Sequence, residues 1–157
     1  MRLTAILLCI LCLFTSCEAT KTAPITERFS CIITCEYDGR NYEGILDRTD
    51  PQMTTVTFTS PPSVAGMVMM KTVDRVAVRL GDAEYTAACE TYPDGNLVGI
   101  LCEALTQAKD ASVQEPFEGM CAAGVYRLSF DEQNGFPTVL ELSDLPLRIR
   151  FLKQTRG

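Results

Sequence analysis

The feature that most constrains the fold is a two-residue alternation of apolar and polar side chains that begins near residue 28. In the first such segment the apolar positions are Phe29, Cys31, Ile33, Cys35 and Tyr37. A β-strand points successive side chains to opposite faces, so one face of this segment is predicted to be buried. The dipeptide Asp38-Gly39 follows directly, and it is typical of two-residue hairpin turns. The sequence therefore predicts an antiparallel hairpin.

Alternating segments recur along most of the chain. The return strand of the hairpin is predicted over residues 40–48, with Tyr42, Gly44 and Leu46 on one face. Residues 53–60 contain four threonines and Val56, and these β-branched residues favour strands. A short apolar patch occupies residues 67–70. Further strands are predicted at residues 75–80, 83–87, 125–130, 139–142 and 147–152.

One segment has helical spacing instead. Its apolar residues recur at intervals of three and four, at Leu97, Ile100, Leu101, Ala104, Leu105 and Ala108. Asp94 or Asn96 is expected to cap its first turn, and a polar stretch follows over residues 109–118. About eight strands and one helix predict an α+β protein that is mainly antiparallel, in which the helix covers a curved sheet.

Composition argues against several classes of function. The chain has 157 residues and a net charge of −6, and an acidic surface repels phosphate backbones, so nucleic acid is not an expected partner. There is no histidine, which removes the usual general base and the commonest metal ligand. We therefore expect no metal site and no cofactor.

The amino terminus has the pattern of an export signal. Residues 3–14 are nearly all apolar, which is shorter than the about 20 residues that span a bilayer and typical of a signal peptide. The run ends in Phe14-Thr15-Ser16-Cys17, and this arrangement resembles the lipobox of bacterial lipoproteins. Phe14 stands where that family usually has leucine. The resemblance implies a diacylglyceryl group on the Cys17 thiol and cleavage just before it.

These features predict three regions: a lipoprotein signal peptide over residues 1–16, a tether over residues 17–27 and one β domain over residues 28–157. The lipid on Cys17 would hold the domain at the extracytoplasmic face of the cell membrane. Two alternatives stay open. An ordinary secretory leader cut near Ala19 would discard Cys17, and a retained membrane anchor would need a longer apolar run than this one.

Five of the eight cysteines belong to the predicted β domain: Cys31, Cys35, Cys89, Cys102 and Cys121. Cys31 and Cys35 lie on the same face of one strand, too far apart to bridge each other, and are predicted to be small buried side chains. Two of the three cysteines Cys89, Cys102 and Cys121 could form one disulfide, but their spacing in the sequence does not indicate which two.

The order of elements resembles the LolA/LppX-like superfamily of lipoproteins, in particular its small uncharacterised Gram-positive members. The matching residues are 58–62, 66–67, 124–128 and 135–137. The resemblance implies a curved, incomplete β-barrel with a covering helix. It also implies a function, which is to hold a lipid or the acyl chains of a lipoprotein in an apolar cavity.

Candidate residues for lining such a cavity are the large apolar residues of the predicted strands and of the patch: Phe29, Tyr42, Val56, Phe58, Met67, Met69, Tyr126 and Leu128. The same residues would also serve as an ordinary core. A second hypothesis is a non-catalytic envelope adaptor that binds a cell-wall enzyme or other protein through an exposed strand edge. Catalysis is the least favoured, because the paired carboxylates of residues 82, 84, 141 and 144 lie in predicted turns and hairpins.

Overall fold

The computed structural model describes residues 28–91, 96–111 and 114–152. The predicted signal peptide, Cys17 and the tether lie outside the described residues, as does Asp94. The first six strands are β1 (Phe29–Tyr37), β2 (Arg40–Asp50), β3 (Met53–Ser60), β4 (Val68–Lys71), β5 (Arg75–Leu80) and β6 (Ala83–Ala88). They are followed by helix α1 (Leu97–Gln107), a 3₁₀ turn (Ala108–Asp110), β7 (Phe117–Cys121), β8 (Gly124–Phe130), β9 (Pro137–Leu142) and β10 (Leu147–Leu152).

All ten strands of the described chain form one antiparallel sheet, in the order β6-β5-β4-β3-β2-β1-β10-β9-β8-β7. Strands β1 to β6 therefore form one meander and β7 to β10 a second. The two meanders join where β1 pairs with β10, with Ile33 opposite Phe151 and Cys35 opposite Ile149. Within the described residues β6 and β7 do not pair with each other, so the sheet is open.

The predicted hairpin is confirmed. Tyr37 pairs with Arg40 across a two-residue turn. Asp38 and Gly39 both have positive φ, 49° and 71°, which is the conformation of the type I′ turn that matches the twist of the flanking strands. Glycine takes this conformation without steric cost, so Gly39 fixes the register of the first hairpin.

The sheet curves around the helix. Helix α1 contacts β3 and β4 and also contacts β7, which lies seven places from β4 in the sheet. In a flat sheet those two strands would lie about 34 Å apart, whereas a helix with its side chains is about 10–12 Å across. Only a strongly curved sheet brings both to the same helix, so the predicted α+β fold with a covering helix is confirmed in outline.

Helix α1 begins as the sequence predicts. Asn96 is its N-cap, and its side-chain Oδ1 accepts a hydrogen bond of 2.8 Å from the backbone N–H of Gly99. Most of the helix is buried against the concave face of the sheet. The fully buried members of this core are Cys31, Ile33, Leu46, Val56, Val76, Val98, Leu101, Ala104, Leu105, Ala108, Tyr126, Leu128, Leu140 and Ile149.

Two strands differ from the sequence-based expectation. The spacing of residues 67–70 indicates only an apolar patch, but Val68–Lys71 form β4 between β3 and β5. A polar stretch is predicted over residues 109–118, but strand β7 already begins at Phe117. Both strands are short, and their pairing with a neighbour stabilises them more than any preference of their own residues.

Candidate functional site

A cavity of about 290 Å³ lies between the amino-terminal end of α1 and the concave face of the sheet. It is formed by the ends of β1 and β3, the start of β2, the residue before β4, the first turn of α1, and the start of β10 with the segment that leads into it. The lining residues are Cys35, Tyr37, Tyr42, Phe58, Met67, Leu97, Ile100, Leu145 and Leu147.

Strand register places the sheet side of the cavity. Cys35 lies directly opposite Tyr42 across the first hairpin, so both side chains project to the same face. Phe58 lies one strand further, opposite Gly44. The rings of Tyr42 and Phe58 pack edge to face, with centroids 6.2 Å apart and an interplanar angle of 76°. This aromatic pair forms a rigid wall.

The cavity has no charged side chain in its lining. Burial raises the pKa of the Cys35 thiol to about 11, so this thiol remains neutral at physiological pH. Tyr37 is 45% exposed and lies where the cavity meets solvent. The lining is therefore mostly apolar, a character typical of small-molecule sites.

Three of the eight candidate residues meet in this cavity: Tyr42, Phe58 and Met67. They come from β2, the end of β3 and the residue just before β4. The sequence indicates each of them as a large apolar residue, but their proximity depends on the order of strands β2, β3 and β4.

The other five candidates do not line the cavity. Val56, Tyr126 and Leu128 are fully buried in the core. Phe29 and Met69 are half-buried and pack against it. Phe29 lies at the opposite end of β1 from Cys35, where its ring packs edge to face on Phe136 with centroids 5.5 Å apart. The predicted lipid attachment residue, Cys17, lies outside the described residues.

Six lining residues are not among the candidates. Leu97 and Ile100 belong to the predicted apolar face of the helix, and Leu147 to a predicted strand. The hairpin turn could have indicated Cys35, because its register places Cys35 beside Tyr42. No comparable signal exists for Leu145, which lies in the link between β9 and β10.

The five cysteines of the described residues are free thiols. Cys31 and Cys35 are both buried on the concave face, as predicted. No bridge forms among the other three. The thiol of Cys102 instead points to the carbonyl of Pro51 at 3.8 Å, and that of Cys89 to the carbonyl of Thr72 at 3.8 Å.

Two further properties concern residues 28–91, 96–111 and 114–152. No group of three or more histidine, cysteine, aspartate or glutamate side chains is placed to hold a metal ion there. In the same ranges no helix combines the length and the apolar character that crossing a bilayer requires.

Comparison with known proteins gives a fold and no family. No family model and no curated protein matches the sequence. An uncharacterized conserved protein from Thermus thermophilus has a similar structure, with a TM-score of 0.53 and 8% sequence identity, over 81% of this chain and 77% of that one. A LolA superfamily protein from Nitrosomonas europaea aligns with a TM-score of 0.38 and 11% identity, over 81% of this chain and 74% of that one. The first similarity shows a shared fold only.

Proposed function

We propose that this chain is a membrane-anchored extracytoplasmic lipoprotein whose domain binds an apolar ligand, a lipid or the acyl chains of a lipoprotein, and performs no catalysis. The observation that carries the proposal is the cavity between α1 and the sheet. It is lined by nine residues, none of them charged, and has a volume of about 290 Å³.

The size of the cavity indicates how much ligand it holds. Small-molecule sites usually measure about 300–1,000 Å³, so this one suits part of a single acyl chain better than several chains. Each methylene that leaves water for an apolar site contributes about 0.8 kcal/mol. An acyl segment of several methylenes therefore gains several kcal/mol on entering the cavity, and part of this gain offsets the loss of translational freedom.

The resemblance of residues 58–62, 66–67, 124–128 and 135–137 to LolA/LppX-like lipoproteins supports the same function. The lipobox-like sequence at Cys17 supports the anchor. Two or three acyl chains on that cysteine would hold the domain firmly, since one chain alone binds membranes only weakly. The domain would then work beside the bilayer that supplies its ligand.

Native mass spectrometry of a soluble form, residues 18–157, tests the ligand. The protein is delipidated, exposed to an extract of bacterial lipids and then measured. We expect a bound lipid mass at a one-to-one ratio. A protein that stays free of lipid under these conditions would contradict the proposal.

A pair of matched variants assigns the lipid to the cavity. Leu97→Trp replaces a leucine side chain of the lining by a larger indole ring, which leaves less room for the ligand. We expect lipid binding to weaken about tenfold, because the loss of two buried methylenes is enough for a change of that size. Leu80→Trp makes the same change at an exposed position of β5 and should bind as the unmodified protein does. Thermal denaturation of both variants checks that they fold.

The anchor is tested separately by labelling cells with radioactive palmitate. We expect label on the full chain, none on Cys17→Ala, and unchanged labelling of Cys12→Ala, which alters a cysteine inside the predicted signal peptide. An amino terminus at Thr20 or later in the native protein would exclude lipidation at Cys17.

An envelope adaptor is the second candidate function, and one observation favours it. Strand β6 ends the sheet, and five of its six residues are exposed. A sheet edge of this kind can pair with an extended segment of a partner. A domain that carries no lipid but co-purifies with one envelope protein, and loses it when Thr86→Pro is introduced in β6, would favour the adaptor.

A further inference from the structure

Three buried side-chain polar atoms have no hydrogen-bond partner in the described part of the chain, and all three belong to two neighbouring residues. They are Nε and Nη1 of Arg48 and Oγ1 of Thr54. Arg48, at the end of β2, pairs with Thr54, at the start of β3. Directly opposite residues of antiparallel strands have Cβ atoms about 4.5–5.5 Å apart and point to the same face.

Arg48 is an unusual residue for this position. It is only 4% exposed, and Thr54 is not exposed at all. Arginine keeps its charge in proteins, and buried charges are normally paired. None of the ion pairs formed by the described residues includes Arg48.

One contact partly compensates the buried charge. Nη2 of Arg48 donates a hydrogen bond of 3.1 Å to Oγ1 of Thr106, in the last turn of α1. The carboxyl end of a helix carries a partial negative charge. This contact leaves two of the three guanidinium nitrogens without an acceptor. Burial lowers the pKa of Arg48, with the loss of solvent as the largest cause.

The surroundings of Arg48 include one positive and one negative side chain, Lys71 and Asp50. Lys71 lies opposite Thr54 on β4, about 10 Å from Arg48 across two strand spacings. Its Nζ donates to the carbonyl of Thr72 at 3.4 Å and to Sγ of Cys89 at 3.5 Å. The charge of the nearby Asp50 raises the pKa of Arg48 and so partly opposes the effect of burial. Asp50 forms no ion pair with Arg48, and its carboxylate accepts a hydrogen bond of 2.9 Å from the backbone N–H of Gln52.

We infer that Arg48 and Thr54 form a buried site for one oxyanion, a carboxylate or phosphate group. Such a group would accept hydrogen bonds from the hydroxyl of Thr54 and from one edge of the guanidinium, through either Nε or Nη1, because these two N–H groups face different edges and one small anion reaches only one of them. Charge-assisted hydrogen bonds from arginine to these groups are among the strongest in proteins. The bound oxyanion would neutralise the charge of Arg48, which forms no ion pair with the described residues.

This oxyanion site is separate from the apolar cavity. Arg48 lies six residues further along β2 than Tyr42, which is about 20 Å. Fully buried Leu46, Val56 and Leu101 fill the interior between them. The inference therefore does not depend on the proposed lipid function, and the two can fail independently.

The source of the oxyanion is either a free anion or a lipid head group. Thermal denaturation at constant ionic strength distinguishes them, with three additions measured against chloride: inorganic phosphate, acetate, and vesicles of phosphatidylglycerol. A rise in Tm of about 4 °C or more is expected near saturation with whichever source fills the site. A response to the free anions indicates a free ion, and a response to vesicles alone indicates a head group.

Variants assign the response to these residues. Arg48→Met should abolish it, while Arg150→Met, which removes an exposed charge from β10, should retain it. Thr54→Val keeps the shape of the side chain but removes the hydroxyl, so the oxyanion concentration that gives half of the rise in Tm should increase about tenfold. Thr57→Val, on the opposite face of β3, is the control and should leave that concentration unchanged. This second pair keeps the test valid if Arg48→Met does not fold.

The inference is overturned if no source raises the Tm of the unmodified protein above chloride. It is equally overturned if Arg48→Met and Thr54→Val respond as the unmodified protein does. Leu97→Trp should keep the full response to oxyanion whatever its effect on lipid binding, which separates the two proposals.

Discussion

The phenolic hydroxyl of Tyr126 donates a hydrogen bond of 2.9 Å to Oε1 of Gln107. Nε2 of the same Gln107 donates to the carbonyl of Met120 at 2.9 Å. One side chain at the end of α1 thus binds both β7 and β8. These bonds hold the carboxyl end of the helix against the second meander, while the apolar cavity lies at its amino-terminal end.

Replacing Tyr126 by phenylalanine removes this hydrogen bond and leaves the ring in place. We expect the free energy of unfolding to fall by about 1 kcal/mol, because Gln107 is exposed and water can replace the lost donor. Urea denaturation measures the change. Tyr37→Phe, at a tyrosine that is 45% exposed, should change stability by less than about 0.5 kcal/mol. Equal losses in both variants would show that the bond contributes nothing specific.

Gly119 packs directly against Tyr126. A Cβ at this position would overlap the hydroxyl and Cζ of Tyr126 and would lie 2.9 Å from Oε1 of Gln107. Gly119→Ala is therefore expected to cost about 1–3 kcal/mol through overpacking. Met120→Ala, next along β7 and 69% exposed, is the control and should remain within about 0.5 kcal/mol of the parent. A neutral Gly119→Ala would mean that β7 can shift away from the tyrosine.

The N-cap of α1 gives a third prediction. Asn96→Ala removes the acceptor for the N–H of Gly99 and should destabilise the protein by about 1 kcal/mol. Asn41→Ala, at an exposed position of β2, is the control. Hydrogen exchange should also quicken at Gly99 and in the rest of the first helical turn. Unchanged exchange there would contradict a capping role.

Alkaline pH should weaken the fold. Burial, with a smaller contribution from Asp47, raises the pKa of Cys31 from 9.0 to about 12, and burial raises that of Cys35 to about 11. The unfolded chain loses these thiol protons from about pH 9, whereas the folded chain keeps them, so stability is full below pH 9 and falls as pH rises further. Each thiol contributes at most about 1.4 kcal/mol per pH unit.

Denaturant titrations at pH 8, 9, 10 and 11 measure this dependence. Cys35→Ala should make the decline between pH 9 and pH 11 less steep, because it removes one of the two buried thiols. Tyr126, whose pKa burial raises from 10.0 to about 12, adds a similar decline above pH 10. A flat profile from pH 8 to pH 11 would contradict the burial of these groups.

Local sequence patterns are sufficient to predict most strands of the sheet. The alternation that ends at Asp38-Gly39 predicts both the first hairpin and its register, because a two-residue turn leaves one way to pair the strands. Helix α1 is equally well marked by its spacing and by Asn96. Strand β7 carries no such signal, because it has a glycine at its centre and follows a polar stretch of sequence. Its pairing with β8 stabilises it.

The site depends more on tertiary structure. Tyr42, Phe58 and Met67 are candidates in the sequence, but Val56 and Leu128 have the same character there and are simply core. What separates them is their position along the strands relative to the end of α1. That position follows from the packing of the helix, which the period of the strands does not encode.

Arg48 has a signal in the sequence that the strand pattern alone does not interpret. It continues the series Tyr42, Gly44 and Leu46 on the face of β2 that is predicted to be buried. A charged residue in register with an apolar face is uncommon and requires a partner. The alternation is therefore enough to mark Arg48 as a candidate, but its unpartnered nitrogens depend on how β2, β3 and α1 pack together.

The pairing of β1 with β10 has a consequence for biosynthesis. The first and the last strand of the described residues are neighbours at the middle of the sheet, with Ile32 opposite Leu152, so β10 must leave the ribosome before the centre of the sheet can assemble. Contacts so distant in sequence slow folding. Until β10 is available, the edge of β1 that faces it has no strand to pair with. The same proximity makes the domain suitable for circular permutation: a short linker from residue 152 to residue 28, with new ends in the turn at residues 38–39, should yield a protein with the same sheet.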